Sequence, residues 1–219
     1  MQTSKILNLK YTAQEDLKID NPKDTVVEYG KNFLKLEDFL FSSASGLDSI
    51  KNGEHYTIGF KLWNSMPAIG DYVGWVNIMD GVFARSRKPN TKYSVGDLVT
   101  PLQNSYNAYY KCTTEGTTGP KASVFPNVST TFYDVDNIES WKPSHSWKKD
   151  DTIFATTGDK TYYMKCETAG VSALSEPLWS TVVENTTTND GTVTWRKLRN
   201  VRWQRQGVSA HFRPFGKIE

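Results

Sequence analysis

Two stretches of this chain carry one pattern: Tyr109-Tyr110-Lys111-Cys112-Thr113-Thr114-Glu115-Gly116 and Tyr163-Met164-Lys165-Cys166-Glu167-Thr168-Ala169-Gly170, with Cys166 at an offset of 54 positions from Cys112. The same offset, without a gap, carries Tyr93 onto Trp147, Asp97 onto Asp151, Val99 onto Ile153, Phe125 onto Trp179, Asp136 onto Asp190 and Trp141 onto Trp195. A shift held from Tyr93 to Arg196 implies one small unit placed twice in tandem, an arrangement suited to surface presentation. Units of about 50 residues bury little apolar area, so aromatic rings must supply much of each core. The 13% aromatic content of the 219 residues meets that need.

The residues around the repeat read as strand and turn. Asp97 to Val99 is expected to pair with Ala108 to Cys112 across a loop at Asn104-Ser105, and Thr152 to Thr156 with Thr161 to Cys166 across Gly158-Asp159. Asn189-Asp190-Gly191 predicts a tight turn into Thr192-Val193-Thr194-Trp195, whose alternate side chains face opposite ways. The stretches 116–133 and 170–189 have turn composition and read as surface loops. Upstream, Asp71 to Ile78 is expected to form a hairpin with Val82 to Arg85 across Met79-Asp80-Gly81. Gly70-Asp71-Tyr72-Val73 echoes Gly96-Asp97-Leu98-Val99 at a different spacing, which we take as a shared way of starting a strand and not as a third copy. Residues 1–31 are polar and punctuated, an extended arm. From Asn32 to Leu40 the apolar Phe33, Leu36, Phe39 and Leu40 recur at three and four, predicting a short helix capped by Asn32. The expected fold is therefore mainly β: an arm and helix over 1–60, a hairpin region over 61–92, β repeats over 93–142 and 143–198, and a basic strand or tail over 199–219.

The order of an aromatic, Gly-Asp, Val, Tyr-x-Lys-Cys, an aromatic near Pro, Asp and a closing Trp resembles the small all-β repeats of tailed-bacteriophage virion proteins. It is more distantly similar to short chitin-binding modules of secreted glycosidases. The resemblance covers residues 60–198, with Asp150 standing where the pattern has Gly and Phe125 where it usually has Trp. It implies a non-catalytic structural part of a virion's tail, baseplate, neck or head fibre, assembled in the host cytoplasm. The N-terminal region would dock on other virion subunits, homo-oligomers would form within the particle, and the β units would meet neighbours or a host-surface glycan. The alternatives are a carbohydrate-binding module of a wall-degrading enzyme and an assembly or scaffold protein.

Several other classes find no support in the residues. There is no Gly-x-Ser-x-Gly elbow, phosphate loop or His-Glu-x-x-His helix, so no enzyme and no cofactor is expected. Adjacent strand carboxylates such as Asp150-Asp151 face opposite ways, and with Asp134-Asp136 they read as turn residues. Two cysteines and the scattered His55, His145 and His211 make no metal-ligand spacing. No run approaches the ~20 apolar residues of a spanning helix, and the first ten residues lack an export core, so neither membrane insertion nor secretion is expected. The 26 basic and 24 acidic side chains balance to +2, which argues against nucleic acid as a partner. Only the tract from Arg196 to Arg213, around Trp203 and Phe212, is basic, and it reads as a strand's charged face.

Among single residues, Trp141 and Trp195 are expected in the repeat cores with Tyr109, Tyr163, Cys112 and Cys166, the thiols as small hydrophobes without a disulfide. Trp147 and Trp179, with Tyr93 and Phe125 in the first copy, are the candidates for a glycan or partner platform. A flat ring exposed on a β surface can stack on the C–H face of a sugar.

Overall fold

The computed structural model describes residues 50–103, 106–121 and 124–219, and the backbone of two-residue strands at Gln2–Thr3, Lys10–Tyr11 and Ser43–Ala44. The expected helix over 32–40, the Asn104-Ser105 loop and the arm apart from its strands lie outside the described residues. The chain is mainly β, with several antiparallel sheets and no closed barrel among the described residues. It divides into two compact units, one of residues Met1–Lys51, His55–Asp80 and Ala210–Glu219, the other of Asn52–Glu54 and Gly81–Ser209.

The larger unit holds two five-stranded sheets whose pairings coincide at the sequence offset. Leu98 and Val99 face Lys111 and Tyr110, and Thr152 and Ile153 face Lys165 and Met164. Arg85 and Ser86 lie parallel to Val99 and Thr100, as Glu139 and Ser140 lie parallel to Ile153 and Phe154. Lys92–Tyr93 pairs with Gly116–Thr117, and Ser146–Trp147 with Gly170–Val171. The turn before each hairpin is also shared: the amides of Gly96 and Asp150 donate to the carbonyls of Cys112 and Cys166, both at 2.9 Å. Gly96 has φ +100°, and Asp150 takes the same left-handed region at +69°, so the departure from Gly leaves the turn intact at some backbone strain.

The closing strands do not follow the tandem order. Trp195 faces Cys166 in the strand Val193–Arg199, as the offset implies. Opposite Cys112, however, stands Trp203 in Arg202–Val208, not Trp141. Trp141 continues from Glu139–Ser140 into the core of the second sheet. Its counterpart at the 54-residue offset is therefore Arg87, which continues from Arg85–Ser86. The first sheet thus runs Phe132–Tyr133, Arg202–Val208, Ala108–Thr114, Leu98–Thr100, Arg85–Ser86, and the second runs Glu139–Ser140, Thr152–Phe154, Tyr162–Thr168, Val193–Arg199, Thr187–Asp190. A boundary at residue 142 does not describe the first sheet, whose second strand arrives after the whole of the second sheet.

The smaller unit repeats the scheme in a form too diverged to read from sequence. Gly59, at φ +82°, donates its amide to Asn77 at 2.8 Å, and Leu62 pairs with Trp75 as Val99 does with Tyr110. Tyr72–Asn77 pairs with Lys61–Asn64 and with Phe212–Lys217, so the hairpin expected with Val82 to Arg85 is not formed. The segment matching Gly96-Asp97-Leu98-Val99 is Gly59-Phe60-Lys61-Leu62 and not Gly70 to Val73. Strands opened in the order 61, 98, 152 are closed in the reverse order 193, 202, 212. Each closing strand brings a ring edge-on to the aromatic that precedes its hairpin: Trp147–Trp195 at 5.5 Å, Tyr93–Trp203 at 5.2 Å, Tyr56–Phe212 at 5.2 Å.

Three apolar clusters result in the larger unit. Trp141, Trp147, Ile153, Met164, Cys166, Trp179, Val193 and Trp195 fill one face of the second sheet. Val99, Ala108, Tyr110, Cys112, Phe125, Val201 and Trp203 fill the first. A third cluster, Val135, Phe154, Tyr163 and Leu198, covers the other face of the second sheet. The Tyr163 hydroxyl donates to the Thr118 carbonyl at 3.1 Å, so the two sheets pack within one body. Tyr109, the offset partner of Tyr163, is only half-buried, and Tyr110 is the core residue there.

Candidate functional site

The rings expected to form a platform are placed in the cores. Trp147, Trp179 and Phe125 are only 5%, 8% and 3% exposed. Trp179 sits on a 3-10 turn, Trp179–Thr181, pulled inward by polar anchors. Its Nε1–H donates to Glu176 at 2.7 Å, the same carboxylate accepts the Thr156 amide at 2.9 Å, and Lys197 Nζ donates to the Trp179 and Val182 carbonyls at 2.9 and 3.0 Å. Phe125 packs edge-on to Tyr110 at 4.8 Å. Tyr93 is half-buried against Trp203, its hydroxyl accepts the Lys88 amide at 2.9 Å, and burial pushes its pKa up. A loop position beside proline suggested exposure, but units this small draw these rings into their cores. What the loop does expose is its aliphatic residues: Leu174, Leu178 and Val183 are 84%, 69% and 67% exposed around the buried Trp179.

Two buried carboxylates, taken from sequence as turn residues or strand ends, hold the sheets shut. Asp190 accepts the Nε1–H of Trp141 at 2.7 Å, of Trp195 at 3.0 Å, and the Ala173 amide at 2.8 Å. Asp134 accepts the Trp203 Nε1–H at 2.9 Å, the Gly119 amide at 2.9 Å, and two bonds from Arg87, at 2.7 and 2.6 Å. The pair Arg87–Asp134 is almost wholly buried. Every carboxylate oxygen is engaged by donors of the fold, so both groups position strands and have no lone pair aimed at solvent. Asp134, not Asp136, is thus the counterpart of Asp190; Asp136 is an exposed ion-pair partner of Lys160. No sequence signal marks the exchange of Arg87 for Trp141, because both simply supply an N–H at the same point.

The first part of the basic tract is likewise engaged internally. Arg196 donates to Glu167 at 2.7 Å, Arg199 to Glu184 at 3.0 Å, and Arg202 lies 5.1 Å over the Tyr133 ring. Trp203 is fully buried, and the half-buried Phe212 packs edge-on against Tyr56 at 5.2 Å. Cys112 and Cys166 are free thiols whose Sγ–H donates to the carbonyls of Thr114 and Thr168 at 3.2 and 3.3 Å, at the bulge that ends each strand. Burial, helped by nearby carboxylates, raises both to about 11. Among the described residues no group of three or more His, Cys, Asp or Glu is placed to hold a metal ion.

The larger unit holds a half-open groove of about 710 Å³. Its lining combines Pro120, Pro126 and Ile138 with the polar Lys121, Asp136, Asn137, Glu139, His145 and Asp151. His145 lies 4.4 Å from the buried Trp147 ring, which also borders the groove. Asp151 spends one oxygen on the Lys148 amide at 2.7 Å. None of these residues except Trp147 was a sequence candidate, since they come together only where the two sheets meet.

In comparison with known proteins, no family model, no curated protein and no solved structure matches this chain. Among the described residues no helix is long and apolar enough to cross a membrane.

Proposed function

We propose that this chain is a non-catalytic structural component of a bacteriophage virion. Its repeated β modules are contact tiles that derive from duplication, its N-terminal region docks on other virion subunits, and copies associate within the particle. The observation that carries the reading is the use of the repeat residues. The paired rings, the two buried carboxylates and the two thiols are all spent on holding small sheets closed, while rigidly anchored loops turn aliphatic side chains outward. A scaffold of that kind gains attachment by copy number, since weak contacts of about −4 kcal/mol each add through effective concentration. The reading of a carbohydrate module that stacks sugars on Trp147 and Trp179 has no exposed ring at those positions to stand on.

The test is proteomics and immunogold labelling of purified particles. The chain should be found at a fixed copy number, and Leu174→Asp with Leu178→Asp should lower its incorporation without changing its melting temperature. Particles complete without the chain would refute the proposal.

A further inference from the structure

We infer that the groove of the larger unit is a binding site for an uncharged oligosaccharide. The inference rests on the contact role proposed above and names a partner for it, at a groove that the buried Trp147 borders but where no tryptophan face is exposed as a platform. Its volume of about 710 Å³ lies inside the range of roughly 300–1,000 Å³ usual for small-ligand sites.

Charge decides against an ionic ligand. Asp134 is ion-paired with Arg87, Asp136 with Lys160, and Glu139 with Lys142 at 2.7 Å, so of the lining charges Lys121 and Asp151 are left, one of each sign. A groove without a net field neither draws in nor selects a charged partner. The groups still open to a ligand are of mixed donor and acceptor character. Among the described residues the Asn137 side-chain amide and the His145 ring nitrogens have no hydrogen-bond partner, and Asp151 has an oxygen to spare. An amide, an imidazole and a carboxylate beside one another suit vicinal hydroxyls, each of which both donates and accepts. The apolar share of the lining, from Pro120, Pro126, Ile138 and the half-buried Tyr133, offers low-entropy surface for the C–H faces of a sugar ring.

A peptide is the other neutral candidate, and the sheet geometry disfavours it. The edge strand at the groove, Glu139–Ser140, has two residues, too few to add a peptide strand by main-chain hydrogen bonds. The left-handed backbone of Asn137, at φ +52°, ends any extension of that edge toward Asp136.

The experiment is a 1H-15N titration of the full chain with N-acetylchitotetraose, cellotetraose and maltotetraose, with a sulfated tetrasaccharide and a proline-rich peptide as controls. At least one neutral saccharide should shift the amides of Asn137, Ile138, His145 and Asp151 with Kd on the order of 1 mM. Asn137→Gly, which keeps the backbone conformation, and His145→Ala should each weaken binding about fivefold or more with the rest of the spectrum unchanged. If His145→Ala disturbs Trp147 and the fold, Asn137→Gly alone decides. No shift from any neutral saccharide at about 10 mM, shifts mapping elsewhere, or a stronger response to either control would overturn the inference. Particle incorporation is read separately, so loss of this site and loss of the virion role are distinguishable.

Discussion

Asp190 should be worth more to this fold than any single ring it touches. Asp190→Ala removes the acceptor of three buried donors, the indoles of Trp141 and Trp195 and the Ala173 amide, at 2.7, 3.0 and 2.8 Å. A buried donor left unsatisfied costs about 1–3 kcal/mol, and bonds to a charged acceptor stand at the upper end. Against this, the folded state no longer buries a carboxylate whose partners, two indoles and an amide, are all neutral groups, which returns part of the loss. A net destabilisation of about 3–5 kcal/mol follows, a large share of the roughly 5–15 kcal/mol that holds a domain. Trp141→Phe removes one donor and keeps most of the ring volume, and the oxygen it leaves is still held by Trp195, so it should cost only about 1–1.5 kcal/mol. Urea titration followed by tryptophan fluorescence and by far-UV circular dichroism measures both. In the double variant the two losses should fall short of their sum, because one bond is removed twice. A loss below about 1 kcal/mol for Asp190→Ala, or simple additivity in the double variant, would refute the view that the carboxylate clamps the sheet.

The remaining predictions concern strand order and the thiols. Ending the chain after Val201 removes the strand that faces Ala108–Thr114 but none of the strands of the second sheet. Hydrogen exchange should then show lost protection at Ala108–Thr114 with protection kept at Tyr162–Thr168 and Val193–Arg199. Equal loss in both would contradict the reverse order of closure. Cys112 and Cys166 stay protonated in the fold up to about 11, whereas the unfolded thiol ionises near 9.0. Above that lower value the unfolded state has released protons that the native state retains, so stability falls with rising pH by about 1.4 kcal/mol per unit for each thiol. Replacing both with Ala should flatten that part of the profile between about pH 9 and 11, and an unchanged slope would count against the assignment.

The all-β class and the two hairpins that pair Leu98–Thr100 with Ala108–Thr114 and Thr152–Phe154 with Tyr162–Thr168 were readable from the chain alone. Leu98 with Lys111 and Thr152 with Lys165 are near neighbours in sequence, and strand alternation and turn residues act over that distance. The left-handed turn at Asp150 was locally ambiguous, because it is held by partners across the hairpin, the Cys166 carbonyl and the Lys165 ammonium. What tertiary structure decided was partnership at long range. Trp141 and Trp203 look equally able to face Cys112, and the choice depends on a strand that arrives 91 residues after that cysteine, from 112 to 203. The same holds for burial: Trp179 and Trp147 look like a platform until Glu176, Lys197 and Trp195 are brought against them. Local backbone chemistry writes the strands, whereas which face is covered, and so which side chains remain to meet a ligand, is settled only when distant segments compete to bury the same rings.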